Sequence, residues 1–130
     1  MLLIPFAPLV CVIDDDASVR TALALLLETS DWQCRTFASA KAFLEHASDR
    51  QEHGACLLLD LKMPTMNGAQ LLEHLRENGL ELPTIVLTAE PDGPLAVRAL
   101  AAGALRVIAK PVDPAQLRGA VTLALATSTG

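Results

Sequence analysis

Tyrosine is absent from this 130-residue chain, tryptophan occurs once, phenylalanine three times, and aromatics make up only 3% of the residues. The core must therefore be aliphatic, built from Leu, Val, Ile and Ala. Positive charge is scarce: ten Lys and Arg against fifteen acids give a formal net charge of −5, without any Lys/Arg cluster. That balance argues against a domain that grips nucleic acid through its own surface. Long apolar runs are missing as well, and nothing approaches the roughly 20 residues needed to span a bilayer. The three cysteines, Cys11, Cys34 and Cys56, show no CxxC spacing. They fall in strand-like segments, where thiols act as small hydrophobes and not as a disulfide framework. His46, His53 and His74 lack metal-ligand spacing and read as solvated side chains.

What is present is apolar and orderly. Hydrophobic residues make up 52% and charged residues 19%, a composition that folds, and the length fits one domain. Met1-Leu2-Leu3-Ile4-Pro5-Phe6-Ala7-Pro8 is apolar, but it has no positive n-region and no small-residue cleavage site. It reads as a lead-in, and the protein is expected to be cytoplasmic. The organisation expected is a lead-in over 1–8, one domain over 9–126, and a tail or linker stub over 127–130.

Strand-like and helical patterns alternate five times. The strand-like runs are Leu9 to Ile13, Gln33 to Phe37, Ala55 to Leu59, Thr84 to Leu87 and Leu105 to Ala109. Four are nearly continuous in apolar residues, as strands covered on both faces should be. Gln33-Cys34-Arg35-Thr36-Phe37 is more polar and belongs at a sheet edge. Helical stripes fill the gaps: Val19, Ala22, Leu23 and Leu26; Ala40, Phe43, Leu44 and Ala47; Leu71, Leu72 and Leu75; Leu117, Ala120, Val121 and Ala124. Ser39 and Asp113 (before Pro114) are placed to cap helices, and Gly103 to end one. The fourth helix, about Pro94 to Ala102, is short and Ala-rich, so it is the element expected to shift most readily. This alternation predicts an α/β fold, a single doubly wound five-stranded parallel sheet with helices on both faces.

The strand ends carry the chemistry. Asp14-Asp15-Asp16 closes the first apolar run and Asp60 the third. A carboxylate there is exposed in a crevice while its backbone stays anchored. In the flavodoxin-like order 2-1-3-4-5, the first and third strands are neighbours and Asp14, Asp15 and Asp60 meet at the switch point. Grouped carboxylates repel unless a divalent cation joins them. Thr88 and Lys110 end the fourth and fifth runs. Acids, a hydroxyl and an ammonium at four strand ends describe a phosphoryl site.

Over about Leu9 to Ala126 the chain resembles the receiver domain of bacterial two-component response regulators. The residues that carry the resemblance are Val12-Ile13-Asp14-Asp15-Asp16 with Arg20, Leu59-Asp60-Leu61-Lys62-Met63-Pro64 with Gly68, Thr88-Ala89, and Lys110-Pro111. Thr36-Phe37-Ala38-Ser39-Ala40, the stretch from Leu82-Pro83 through Pro94, and Ala102-Gly103-Ala104 resemble the branch that precedes LuxR-type helix-turn-helix domains. The strand order above is the family's own, and so follows from the resemblance and not from periodicity.

The resemblance implies roles. Asp60 is the phospho-acceptor, served by a histidine kinase as phosphodonor. Asp14 and Asp15 hold Mg²⁺, Asp15 directly and Asp14 through water, with Asp60 and the backbone carbonyl of Lys62 completing the ligands, while Asp16 caps the first helix. Thr88 donates to a phosphoryl oxygen, and Lys110 pairs with the carboxylate and then with the phosphoryl group, next to a cis Lys-Pro step. No turnover of a separate substrate is implied, only phosphoryl acceptance and slow self-dephosphorylation. Independently of the resemblance, homodimerisation or docking is expected through the fourth helix, fifth strand and fifth helix, the face that borders Thr88 and Lys110 and includes the weakly anchored helix. DNA is reached only through a separate output domain; the alternative is a stand-alone receiver acting in a phosphorelay or as an interaction module. One departure stands out. Where many receivers carry a Tyr or Phe three residues before the lysine, this chain has Val107. An aspartyl-phosphate hydrolase would want a second aspartate at the position of Lys62. A flavin-binding loop would not carry three aspartates.

Overall fold

The computed structural model describes residues 7–47 and 56–128. In chain order the elements are β1 (Leu9–Ile13), α1 (Ala17–Glu28), β2 (Gln33–Phe37), α2 (Ala40–Ala47), β3 (Cys56–Asp60), α3 (Gly68–Glu77), β4 (Thr84–Thr88), α4 (Pro94–Ala101), β5 (Arg106–Ala109) and α5 (Pro114–Ser128). All strand pairs are parallel and their order is β2-β1-β3-β4-β5. The α/β fold and strand order are those expected, and polar β2 lies at an edge.

Because side chains alternate across a strand, the sheet feeds two cores. Cys11, Ile13, Leu57, Leu59 and Val86 face α2, α3 and α4, where Phe43, Leu71, Leu75, Ala96 and Ala99 are buried. Val10, Val12, Leu58, Ile85, Leu87 and Ile108 face α1 and α5, where Leu23, Leu27, Leu117 and Val121 are buried. Covering both faces explains why β1, β3 and β4 read as continuous apolar runs. β5 forms the other edge, and only Ile108 in it is fully buried.

Local boundaries follow the chemistry in the sequence. Ser39 Oγ accepts from the Ala42 N–H at 3.0 Å, and Asp113 Oδ2 accepts from the Gln116 N–H at 2.9 Å. Gly103 ends α4 at φ +110. There the Gly103 N–H donates to the Leu100 carbonyl and the Ala104 N–H to the Ala99 carbonyl, a Schellman closure that only a residue tolerant of positive φ allows.

Several expectations need correcting. The α1 stripe is rotated: Leu27 is buried and Ala22 is exposed, with Val19 and Leu26 flanking. Twelve residues with apolar positions all round leave the buried face open until the sheet chooses it. Leu105 lies outside β5 and is 49% exposed, although its N–H still bonds to the Thr84 carbonyl. α5, whose apolar stripe was expected from Leu117 to Ala124, runs on to Ser128. His46 is half-buried with its ring 5.2 Å from that of Phe37, whereas His74 is exposed as expected. Cys11 and Cys56 are buried and Cys34 half-buried; burial pushes the Cys56 thiol up to about 12 and that of Cys34 to about 11. His53, Ala55, most of the lead-in, the end of the tail and the side chain of Ala47 lie outside the described residues. Among those described, no helix is long and apolar enough to cross a membrane.

Candidate functional site

The crevice at the carboxyl ends of β1, β3, β4 and β5 gathers the residues expected there. Asp60 is the last residue of β3 rather than the first beyond it, and is 7% exposed. Asp14 directly follows β1 and is 1% exposed, while Asp15 next to it is exposed. One oxygen from each of Asp14, Asp15 and Asp60 falls within a 4.8 Å cluster. This convergence follows from the β1–β3 pairing, which matches Ile13 with Leu59 and so aligns the strand ends.

Lys110, directly after β5, reaches across the sheet ends. Its Nζ donates to Asp14 Oδ2 at 3.0 Å and to Asp60 Oδ1 at 3.2 Å. The Lys110–Pro111 peptide is cis. Burial works against the ammonium, but bonds and charges from Asp14 and Asp60 prevail and raise its pKa. Asp60 shifts upward too: burial raises its pKa, the Asp14 charge raises it further, and Lys110 offsets only part. The cluster of three carboxyl groups thus meets a single lysine ammonium, which bonds Asp14 and Asp60. Carboxylate oxygens at this spacing could hold a metal ion.

Asp14 is held at each of its polar groups. Its N–H donates to the Phe37 carbonyl at 3.1 Å, and its own carbonyl accepts from Arg20 Nη1 at 2.8 Å. Oδ1 accepts from the Asp16 N–H at 2.9 Å, and Oδ2 from Lys110. Asp16 turns away to cap α1, accepting from Ser18 N–H and Oγ–H and from Val19 N–H. These bonds, the Ser18 hydroxyl's foremost, lower its pKa.

On the other side of Asp60, buried Thr88 ends β4 and its Oγ1 accepts from the Glu90 N–H at 3.1 Å. Ala89 is exposed at the rim. In the loops that follow β3 and β4, the exposed Lys62 and Glu90 side chains form an ion pair of 2.6 Å. Val107 is half-buried in β5, opposite Val86 of β4.

α4 is better tethered than its sequence shows. Arg98 makes a bidentate pair with Glu73 of α3, both bonds at 2.7 Å, and Arg76 Nη1 donates to the Ala101 carbonyl at 2.9 Å. Partners 25 residues apart leave no local signal to find them by. The Phe37 carbonyl behind Asp14 was equally invisible, since any residue there supplies one.

A doubly wound sheet whose switch point collects acids, a lysine and a threonine defines a receiver. Residues 10–122 match the family model of the response regulator receiver domain, and the chain belongs to that family. It is 41% identical over 117 residues to the transcriptional regulatory protein FixJ of Azorhizobium caulinodans, covering 90% of this chain and 54% of that protein. It is 42% identical over 120 residues to the transcriptional regulatory protein TdiR of Thauera aromatica, covering 92% and 52%. The chain thus spans about half the length of the curated relatives it matches. Among solved structures, the response regulator StyR superposes with a TM-score of 0.85 at 39% identity, over 95% of this chain and 61% of that one. The crystal structure of FixJ-N gives 0.83 at 34% identity, over 95% of both chains.

Proposed function

We propose that the domain over 9–126 is a phospho-accepting switch whose nucleophile is Asp60. A Asp60 carboxylate oxygen attacks the phosphorus of a kinase phosphohistidine. A P–O bond forms to give an acyl phosphate, the P–N bond breaks, and the imidazole leaves with its electron pair. The donor is already activated, so the site contributes position and charge. Lys110 holds the carboxylate beforehand and turns to the phosphoryl oxygens afterwards, and the Thr88 hydroxyl exchanges its role as acceptor for donation to one of them. Mg²⁺, when bound, neutralises charge between acids and phosphoryl group. Asp15, exposed at the rim, would be a direct ligand with Asp60 and the Lys62 carbonyl. Asp14, with both carboxylate oxygens bonded within the protein, would act through water.

The observation that carries this reading is the reach of one Lys110 ammonium to both Asp14 and Asp60 in the buried floor of the site. Intact mass after acetyl phosphate or beryllofluoride treatment with Mg²⁺ tests it. One adduct is expected, lost in Asp60→Asn; a full adduct in that variant rejects Asp60.

The output face would be α4, β5 and α5. Val97 and Leu100 of α4, 62% and 49% exposed, and neighbouring Leu105 supply unpaired apolar surface there. Homodimerisation on activation, and control of transcription through a separate LuxR-type domain, fit that face and the regulatory relatives. With Val107 in place of an aromatic, the signal would pass through backbone and loop repacking around Thr88. A change in amide exchange over residues 94–102 on phosphorylation is expected; changes confined to α2 and β2 would reject this face.

A further inference from the structure

We propose that Arg20 is a positioning residue for the acid pair, acting through the peptide plane between Asp14 and Asp15. Its side chain leans back along α1 toward the helix amino terminus, as helical side chains do. There Nη1 donates to the Asp14 carbonyl at 2.8 Å. That carbonyl belongs to the rigid peptide unit joining the two acids, so fixing its oxygen fixes the Cα atoms of both. Asp14 has further restraints at its N–H and at both carboxylate oxygens. Exposed Asp15 therefore inherits its direction from this plane. The backbone turns here from strand to helix within three residues, Asp14 to Asp16, where a free peptide would be least constrained.

The guanidinium suits the task because its donors form a rigid, permanently charged fork. Its charge also separates this role from simple electrostatics. A cation this close to a cation site repels the incoming metal, so by Coulomb's law alone removing it should tighten binding. Positioning predicts the reverse. Since the metal site belongs to the function proposed above, the inference rests on that reading for its metal-binding arm alone.

The experiment compares wild type, Arg20→Gln and Arg20→Lys by Mg²⁺ titration calorimetry, and by amide exchange in metal-free buffer. Arg20→Gln should bind Mg²⁺ about tenfold more weakly, the scale of one lost charge-assisted hydrogen bond. Its Asp14 and Asp16 amides should exchange faster while those of Leu58 and Ile85 in the central strands stay protected. Arg20→Lys, with the charge but without the fork, should fall between. Equal or tighter Mg²⁺ binding by Arg20→Gln overturns the proposal, as does faster exchange throughout the core. If wild type itself binds no Mg²⁺, the metal reading fails, and unchanged Asp14 and Asp16 amides in Arg20→Gln then overturn the positioning role separately.

Discussion

Gly68 packs directly against the backbone of Asp60: a Cβ at Gly68 would stand 2.5 Å from the Asp60 carbonyl oxygen and 3.0 Å from a Leu61 side-chain carbon. The Gly68 N–H donates to the Leu61 carbonyl at 2.9 Å. The first turn of α3, capped by Asn67 in a reciprocal box with Gln70, is thereby seated on the strand end that presents the carboxylate.

Gly68→Ala should cost stability and disturb the site at once. Overpacking of this kind costs about 1–3 kcal/mol, and the atom displaced belongs to the backbone of Asp60. Gly119, in α5 with nothing within 4 Å of its missing Cβ, is the control. Gly119→Ala should gain about 0.5–1 kcal/mol from helix propensity. Urea unfolding of the two variants is expected to give opposite signs, and only Gly68→Ala should slow phosphoryl uptake from acetyl phosphate. Equal stabilisation by both would show that α3 can retreat at no cost.

Thr65, exposed in the loop between β3 and α3, has φ +72. A β-branched residue is strained there. Asp31, in the same region at φ +64, has a short polar side chain that tolerates it. Thr65→Asn should therefore stabilise the fold by roughly 0.5–1 kcal/mol. A lower urea midpoint for this variant would mean that the threonine makes compensating contacts.

The upward shift of Asp60 sets the sign of a pH dependence. Burial and the Asp14 charge hold its folded pKa above the ordinary aspartate value of 3.8, so between the two values the native state binds more protons than the unfolded one. Through this group, stability falls as pH rises through the folded pKa and the penalty persists at neutral pH. In metal-free buffer, Asp60→Asn should accordingly melt higher than wild type at pH 7. The advantage should shrink as pH falls through the folded pKa of Asp60 toward the unfolded one. An advantage that grows on acidification would contradict the shift. The capping carboxylate of Asp16, lowered chiefly by the Ser18 hydroxyl bond, contributes oppositely: its stability is present above the unfolded pKa and lost as pH falls through the folded one.

The sheet was legible because burial on both faces writes itself into β1, β3 and β4 as apolar runs, while β2 reads as an edge through Arg35 and Thr36. The convergence of Asp14, Asp60 and Lys110 rests on strand order, which residue patterns alone do not fix; motif resemblance supplied it. The register of α1 was misread because Leu23, Leu25, Leu26 and Leu27 offer an apolar arc wide enough for two faces, and Leu25 ends 63% exposed. The Arg98–Glu73 tether of α4 escaped because it joins two helices whose spacing only the folded sheet determines. Sequence composition marked α4 as loosely held, and its buried residues are indeed only Ala96 and Ala99. Polar clasps at its surface take up part of the load.

The Lys62–Glu90 pair gives the last expectation, on the lifetime of the acyl phosphate. Lys62 lies in the loop after β3 and Glu90 in the loop after β4, and these strands are neighbours. Their contact at 2.6 Å thus bridges the two loops that follow Asp60 and Thr88. With side chains 63% and 58% exposed, the pair is worth only about 0–1 kcal/mol. A pair this weak is expected to act as a mobile cover and not as a seal. Hydrolysis needs water in line with the breaking bond, and a cover that must open first reduces that access. At about 1.4 kcal/mol per factor of ten in rate, the pair changes the rate by several-fold at most. The Lys62→Ala, Glu90→Ala double variant should lose phosphate several-fold faster, while its Mg²⁺ affinity stays nearly unchanged, since the proposed role of Lys62 in holding the metal uses only its backbone carbonyl. Each single variant should approach the double, since either one breaks the pair. Phosphate decay in excess Mg²⁺ decides the point: an unchanged or slower rate in the double variant rejects the cover, and additive single effects would show that the side chains act apart.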